Sequence, residues 1–184
     1  LSACGSRAEC LEMVRAAAAE SREGWIRAVA ARVEGWDGDP WPTARELDEA
    51  AGGRAAVVFS FDHHALVASS AALRAAGIDR DTPDPAKGVI VRDGATGEPT
   101  GLLLEEACHA IYRAIPAASD EEYRRHLLAG LADFADHGFV EVHDMMSTPR
   151  MARMLLELER SGELDMEVRL YATREHFDEL VGEA

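Results

Sequence analysis

The chain has 184 residues, of which 47% are hydrophobic and 29% charged, enough apolar material for a folded core and against global disorder. Its formal net charge of −15, with no basic block, argues against a nucleic-acid partner. No run approaches the roughly 20 apolar residues of a membrane-spanning helix.

Ala8 to Val33 is rich in Ala, Glu and Arg, and its apolar residues recur mostly at helical intervals, predicting two helical segments broken at Gly24. The Gly- and Pro-rich stretch from Gly35 to Pro42 suits neither helix nor central strand. Thr43 and Glu46 have capping-box spacing and predict a short helix through Ala50. Ala55 to Phe61 reads as a buried strand with Asp62-His63-His64 at its carboxyl end, followed by a helix from about Ser69 to Ala76 stopped by Gly77. Val89–Arg92 and Leu102–Leu104, joined across an Asp93-Gly94 turn, read as a hairpin. Glu105 to Ile115 reads as a helix ended by Pro116.

Ser119, with Glu122 in the capping-box position, opens a long amphipathic helix with Tyr123, Leu127, Leu131 and Phe134 on its apolar side. Phe139 to Asp144 is the next strand, Thr148-Pro149 starts a helix stopped by Gly162, and Met166 to Tyr171 is a further strand. Alternating helices and strands with short connections predict an α/β fold with parallel pairing, in which functional residues gather beyond the strands' carboxyl ends.

The candidate residues follow from that placement. His64, and more weakly His63, could offer imidazole nitrogen to a cation or substrate, although neighbours on a strand point to opposite faces unless the strand has ended. His143 and Asp144 close a strand. There Glu141 and Asp144 need polar company, because a carboxylate buried without a partner is costly. Glu105-Glu106 are expected to open a helix, with His109 on the face of Glu105. Trp25, Trp36 and Trp41 are expected to pack a lobe, with Trp36 a weaker pocket candidate. Cys4, Cys10 and Cys108 make no complete disulfide framework and fit a reducing, cytoplasmic compartment. Leu1-Ser2-Ala3-Cys4 has the small-residue pattern of a lipidated cysteine without the leader such a signal needs.

These segments, in order, resemble the YtcJ-like branch of the metal-dependent amidohydrolases (Amidohydro_3), which includes N-substituted formamide deformylase. The resemblance is carried by Gly24-Trp25-Ile26, Gly35-Trp36-Asp37, Pro42-Thr43 with Leu47-Asp48, and Asp62-x-His64. It continues in Ser70-Ala71-Ala72-Leu73, Thr82-Pro83-Asp84-Pro85, Pro99-Thr100-Gly101 with Glu105, and Gly138-Phe139-Val140 with His143-Asp144-Met145.

The resemblance implies a partial (β/α)8 barrel holding strands two and three, with an inserted, small β-rich accessory segment. It divides the chain into a helical segment over 1–35, an accessory segment over 36–107, and a helix–strand–helix–strand portion over 108–184. It implies hydrolysis of an amide or related C–N bond in a small-molecule substrate through a metal-activated water. The divalent metal, zinc by resemblance, is expected to have its principal ligands outside this stretch. His64, Glu105, His143 and Asp144 then correspond to pocket residues or to groups that orient them.

Two departures stand out: His63 occupies a position where the family usually has Gly, and Ser69 one where it usually has Asn. The chain is expected to be inactive by itself. It is further expected to pair with the rest of the same enzyme, or with a second copy, through its open strand edges. The alternative is a non-catalytic, acidic binding or scaffolding module on the same fold.

Overall fold

Local capping signals and glycine stops set most element boundaries in the computed structural model, which describes residues 1, 4–20, 23–36 and 41–183. Asp37–Pro40, within the Gly- and Pro-rich stretch, and Ser2-Ala3 lie outside the described residues. The chain forms two units, Leu1–Pro116 and Ala117–Ala184.

The first unit contains α1 (Arg7–Glu20), β1 (Ile26–Ala31), α2 (Ala44–Ala50), β2 (Ala56–Ser60), β3 (Ala65–Ala68), α3 (Ser70–Ala75), β4 (Gly88–Arg92), β5 (Pro99–Glu105) and α4 (Cys108–Ala114). Its five strands lie in the order β1-β2-β3-β5-β4. β1 runs parallel to β2, and the other pairs are antiparallel.

Alternation along β2 and β3 divides the core between the two faces of the sheet. Val58 and Val67 pack with Leu11, Val14, Trp36 and Leu47, whereas Val57, Phe59 and Leu66 pack with Leu73, Leu103 and Ile111. Each fully buried Val or Leu contributes about 1.5–3 kcal/mol of transfer free energy. The hairpin β4–β5 forms as predicted, and the Thr43–Glu46 capping box is present at α2.

Three expectations are corrected in this unit. The stretch after Gly24 is strand β1 and not the second half of a helix, because its Ile26–Ala28 ladder on β2 outweighs the helix propensity of its alanines. The chain after His64 returns as β3 before Ser69 caps α3, so β2 is one arm of a hairpin. Glu105 and Glu106 do not open a helix: Glu105 ends β5 with φ of 53°, and α4 starts only at Cys108. His109 therefore shares no helical face with Glu105.

The second unit contains α5 (Asp120–Asp136), β6 (Glu141–Ser147), α6 (Pro149–Ser161), β7 (Glu167–Ala172) and α7 (Phe177–Glu183). Its strands pair in parallel, as the alternating rhythm predicts. The capping box of Ser119 and Glu122 starts α5, Thr148 caps α6 with Pro149 in its first turn, and Gly162 in the left-handed region ends it. The strand begins two residues later than expected, at Glu141, and leaves Phe139 and Val140 exposed; it also runs on to Ser147, so His143 and Asp144 lie within it and do not close it.

The register puts Val142 and Val168 on one face of the pair and Glu141, His143, Glu167, Arg169 and Tyr171 on the other. The apolar face, with Leu127, Leu131 and Leu155, borders a cavity of about 300 Å³. No side chain of α5 is fully buried. Across the described residues the fold is mixed α/β, and β6 and β7 do not close into a barrel.

Candidate functional site

In the first unit the site forms where β2 turns into β3 and meets the end of β5. Phe61 to His64 make the turn, so His63 and His64 stand beyond the strand and escape its alternation. The Ser60 hydroxyl donates to Asp62 Oδ1 at 2.6 Å, and the same oxygen accepts the His64 backbone N–H at 3.0 Å. The hydrogen bond from Ser60 comes first among the causes that hold the Asp62 carboxyl below its ordinary range.

That turn presents the His64 imidazole to Glu105, with Nδ1 2.8 Å from Oε2. The backbone supports the meeting, since the Glu105 N–H donates to the His64 carbonyl at 2.8 Å. The Glu105 carboxylate, by hydrogen bond and then by charge, raises the His64 pKa above 6.5. Both side chains are exposed. His63 and Glu105 hold φ of 63° and 53°, sparsely populated conformations for residues other than glycine, and each costs on the order of 1–2 kcal/mol.

Aromatic rings flank this turn. Phe59 stacks on Tyr112 with centroids 5.3 Å apart, and the Tyr112 hydroxyl lies 3.5 Å from His63 Nδ1. Beneath, buried Cys108 donates to the Leu103 carbonyl at 3.4 Å. Burial, followed by the Glu105 charge, pushes its thiol up to about 11.

The second unit carries the other two candidates. His143 Nε2 lies 2.7 Å from Glu141 Oε1, and its Nδ1 lies 3.3 Å from the Tyr171 hydroxyl. The Tyr171 ring stacks on the imidazole at 5.6 Å and 29°. Arg169 clasps Glu141 and Glu167 on the same face. The His143 hydrogen bond and the Arg169 charge together hold the Glu141 carboxyl down. Asp144 accepts the Ser147 hydroxyl at 2.7 Å, and buried Ser147 in turn accepts the Tyr171 backbone N–H at 3.1 Å. The polar company that Glu141 and Asp144 require is thus present.

The other two weaker candidates, Ser69 and Trp36, are placed elsewhere. Ser69 is fully buried. Its hydroxyl donates to the Arg54 carbonyl and accepts the N–H groups of Ala56 and Ala72 at 2.9 and 3.3 Å, which ties α3 to β2. Trp36 is buried, and its indole N–H donates to the Cys4 carbonyl at 2.8 Å. Sequence reasoning missed Tyr171, Arg169 and Ser147. The pairing register of two parallel strands was the signal that brings them to His143 and Asp144.

A resident metal does not fit the residues present. Among the described residues, no group of three or more His, Cys, Asp or Glu side chains converges as a cation site. Asp62 is turned to Ser60 and the His64 amide, and Glu105 to the imidazole. No helix among the described residues is long and apolar enough to cross a membrane.

Comparison with known proteins agrees with the fold. Over 115 residues the chain is 39% identical to the putative amidohydrolase YtcJ of Bacillus subtilis strain 168, covering 60% of this chain and 22% of that protein. It is 33% identical over 140 residues to N-substituted formamide deformylase of Arthrobacter pascens, covering 74% of this chain and 26% of that enzyme. The chain therefore spans about a quarter of the length of these relatives. The fold superposes on an uncharacterized metal-dependent hydrolase of Pyrococcus horikoshii OT3 with a TM-score of 0.67 at 21% identity, over 97% of this chain and 33% of that one. The amidohydrolase family Amidohydro_3 matches residues 1–182, and the chain belongs to that family.

Proposed function

We propose that this chain is part of a metal-dependent hydrolase that cleaves an amide or related C–N bond in a small-molecule substrate, and that its share of the site is pocket lining and orientation. In this reading β6 and β7 are barrel strands two and three, and residues 36–107 form the inserted accessory segment. A divalent metal, zinc by resemblance, has its principal ligands outside this chain in this reading. The rest of the same enzyme, or a second copy, supplies the neighbours of β6 and β7.

The observation that carries the local role is the His64–Glu105 pair, held at 2.8 Å between two backbone positions in the left-handed region. Glu105 Oε2 accepts the Nδ1 proton in this reading and thereby fixes the tautomer of a neutral His64. Nε2, with no protein partner among the described residues, then offers its lone pair to substrate when neutral and a proton when charged. The Glu105 carboxylate raises the His64 pKa and so favours the charged form relative to an ordinary imidazole. Asp144, held by Ser147 in the middle of β6, orients neighbouring groups in this reading.

The test uses the full-length protein: metal analysis, then hydrolysis of N-butylformamide by wild type and His64→Ala. Metal-dependent hydrolysis that falls on the order of 100-fold in kcat/KM in the variant supports the reading. A folded, metal-replete wild type without hydrolysis of this or other N-substituted amides overturns it.

A further inference from the structure

We infer that Tyr171 is a substrate-binding residue whose phenolic oxygen accepts a hydrogen bond from the N–H of a secondary amide, and that His143 and Glu141 are positioning residues that aim it. The inference rests on the hydrolase reading above and narrows its substrate class to amides that keep a hydrogen on nitrogen.

Glu141 sets the polarity of this row of contacts. Its carboxylate is ionised, held down by His143 and Arg169, and can only accept hydrogen bonds. His143 Nε2, 2.7 Å away, must therefore carry a hydrogen. We take this ring as neutral, with its one N–H on Nε2, so that Nδ1 presents a lone pair. The group facing that lone pair at 3.3 Å is the Tyr171 hydroxyl, which accordingly donates to it.

The phenolic oxygen keeps its own lone pairs, and no other partner contacts it among the described residues. Stacking of the two rings fixes the direction in which those lone pairs point. Tyr171 stands near the carboxyl end of β7, where parallel sheets gather their functional groups, and its side chain is partly exposed. A hydroxyl whose hydrogen is already committed recognises donors, and an amide N–H is the donor that a C–N hydrolase meets in its substrate.

Arg169 strengthens the arrangement from the other side. It binds Glu141 and Glu167 together, so the carboxylate that sets the tautomer is itself fixed. The order Arg169–Glu141–His143–Tyr171 crosses both strands on one face and ends at the phenol.

Two measurements decide the matter. In the full-length protein, two-bond ¹H–¹⁵N spectra of the His143 ring are expected to show a neutral imidazole protonated on Nε2, with the Nδ1 resonance shifting when Tyr171→Phe removes the hydroxyl. A ring protonated on Nδ1, or an unmoved Nδ1 resonance, overturns the inference without touching the hydrolase reading.

In the full-length protein, Tyr171→Phe is expected to lower kcat/KM about 10-fold for N-butylformamide, mainly through KM, and to leave N-butyl-N-methylformamide unchanged. Equal losses on both probes, or none, overturn the inference. If wild type hydrolyses neither probe nor any other N-substituted amide, the hydrolase reading fails by itself. Binding of the same two amides to wild type and Tyr171→Phe then decides the inference: weakening confined to N-butylformamide supports it, and equal weakening or none overturns it.

Discussion

His64 and Glu105 are 41 residues apart in sequence and meet at 2.8 Å because β3, on which His64 borders, pairs with β5, which Glu105 ends. The pairing has a titration signature. Glu105 raises the His64 pKa above 6.5, so the pair stabilises the fold fully below the imidazole's ordinary value. That contribution is lost as pH rises through the raised one. An NMR titration of the His64 ring is expected to give a midpoint above 6.5 in wild type and a return toward 6.5 in Glu105→Gln. An identical midpoint in both proteins would sink the assignment.

His63 holds φ of 63°, in the left-handed region that favours glycine. A side chain there costs about 1–2 kcal/mol, against about 0.4–1 kcal/mol of added unfolded-state entropy when glycine replaces it. His63→Gly is therefore expected to be neutral or stabilising by up to about 1 kcal/mol. His63→Val, β-branched in the same conformation, is expected to destabilise by more than about 1 kcal/mol. Urea denaturation of the two variants checks the order, and a glycine variant less stable than the valine one contradicts it.

Gly88 supports the same site from below. A Cβ there would lie 2.3 Å from the Ala107 nitrogen, 2.8 Å from the Leu104 carbonyl oxygen and 2.9 Å from the Glu106 nitrogen, all backbone atoms around Glu105. Gly88→Ala must displace that turn, at a cost of about 1–3 kcal/mol. The titration midpoint of His64 should fall along with the stability, because the displaced carboxylate no longer faces the ring. A destabilised variant with an unchanged His64 midpoint would show that the turn moves without Glu105.

Burial sets the reactivity of two thiols. Cys10 is pushed up to about 12, chiefly by burial and then by neighbouring Cys4, and Cys108 up to about 11. At pH 8 the thiolate fractions are on the order of one in ten thousand and one in a thousand, and the thiolate is the reacting form. Iodoacetamide at pH 8 is expected to leave both unlabelled in the folded chain and to modify both in guanidinium chloride. Mass spectrometry of the peptides reads the result; rapid native labelling of either residue contradicts its burial.

Features written in four consecutive residues were legible in the sequence. Thr43 with Glu46, Ser119 with Glu122, and Thr148 with Pro149 each specify a helix start through bonds to their own neighbours. The Ala-rich segment of β1 was not legible, because its strand conformation comes from the ladder to β2, some 30 residues away. Of the site, Glu141 showed its need for a partner, but Arg169 and Tyr171 are fixed only by the register that sets His143 beside Arg169. Glu105 and His64 were visible as separate marks, and their contact depends on β3, a strand too short to announce itself.

Ser69 offers the sharpest separation of a structural from a functional role. Resemblance puts it beside the pocket histidine, yet its hydroxyl is fully buried and bonded to Arg54, Ala56 and Ala72. Ser69→Ala removes the cap of α3, worth about 1 kcal/mol, and leaves the buried Ala56 N–H unpaired, worth about 1–3 kcal/mol more. The expected loss is about 2–4 kcal/mol in urea denaturation, with the His64 midpoint unchanged, because the Glu105 contact does not pass through Ser69. In the full-length protein, kcat/KM measured well below the unfolding transition should stay within about 3-fold of wild type, far less than one 1.4 kcal/mol tenfold step per lost bond would give if the hydroxyl bound substrate. Retained stability, or a large loss of kcat/KM in the fully folded variant, would return Ser69 to the pocket.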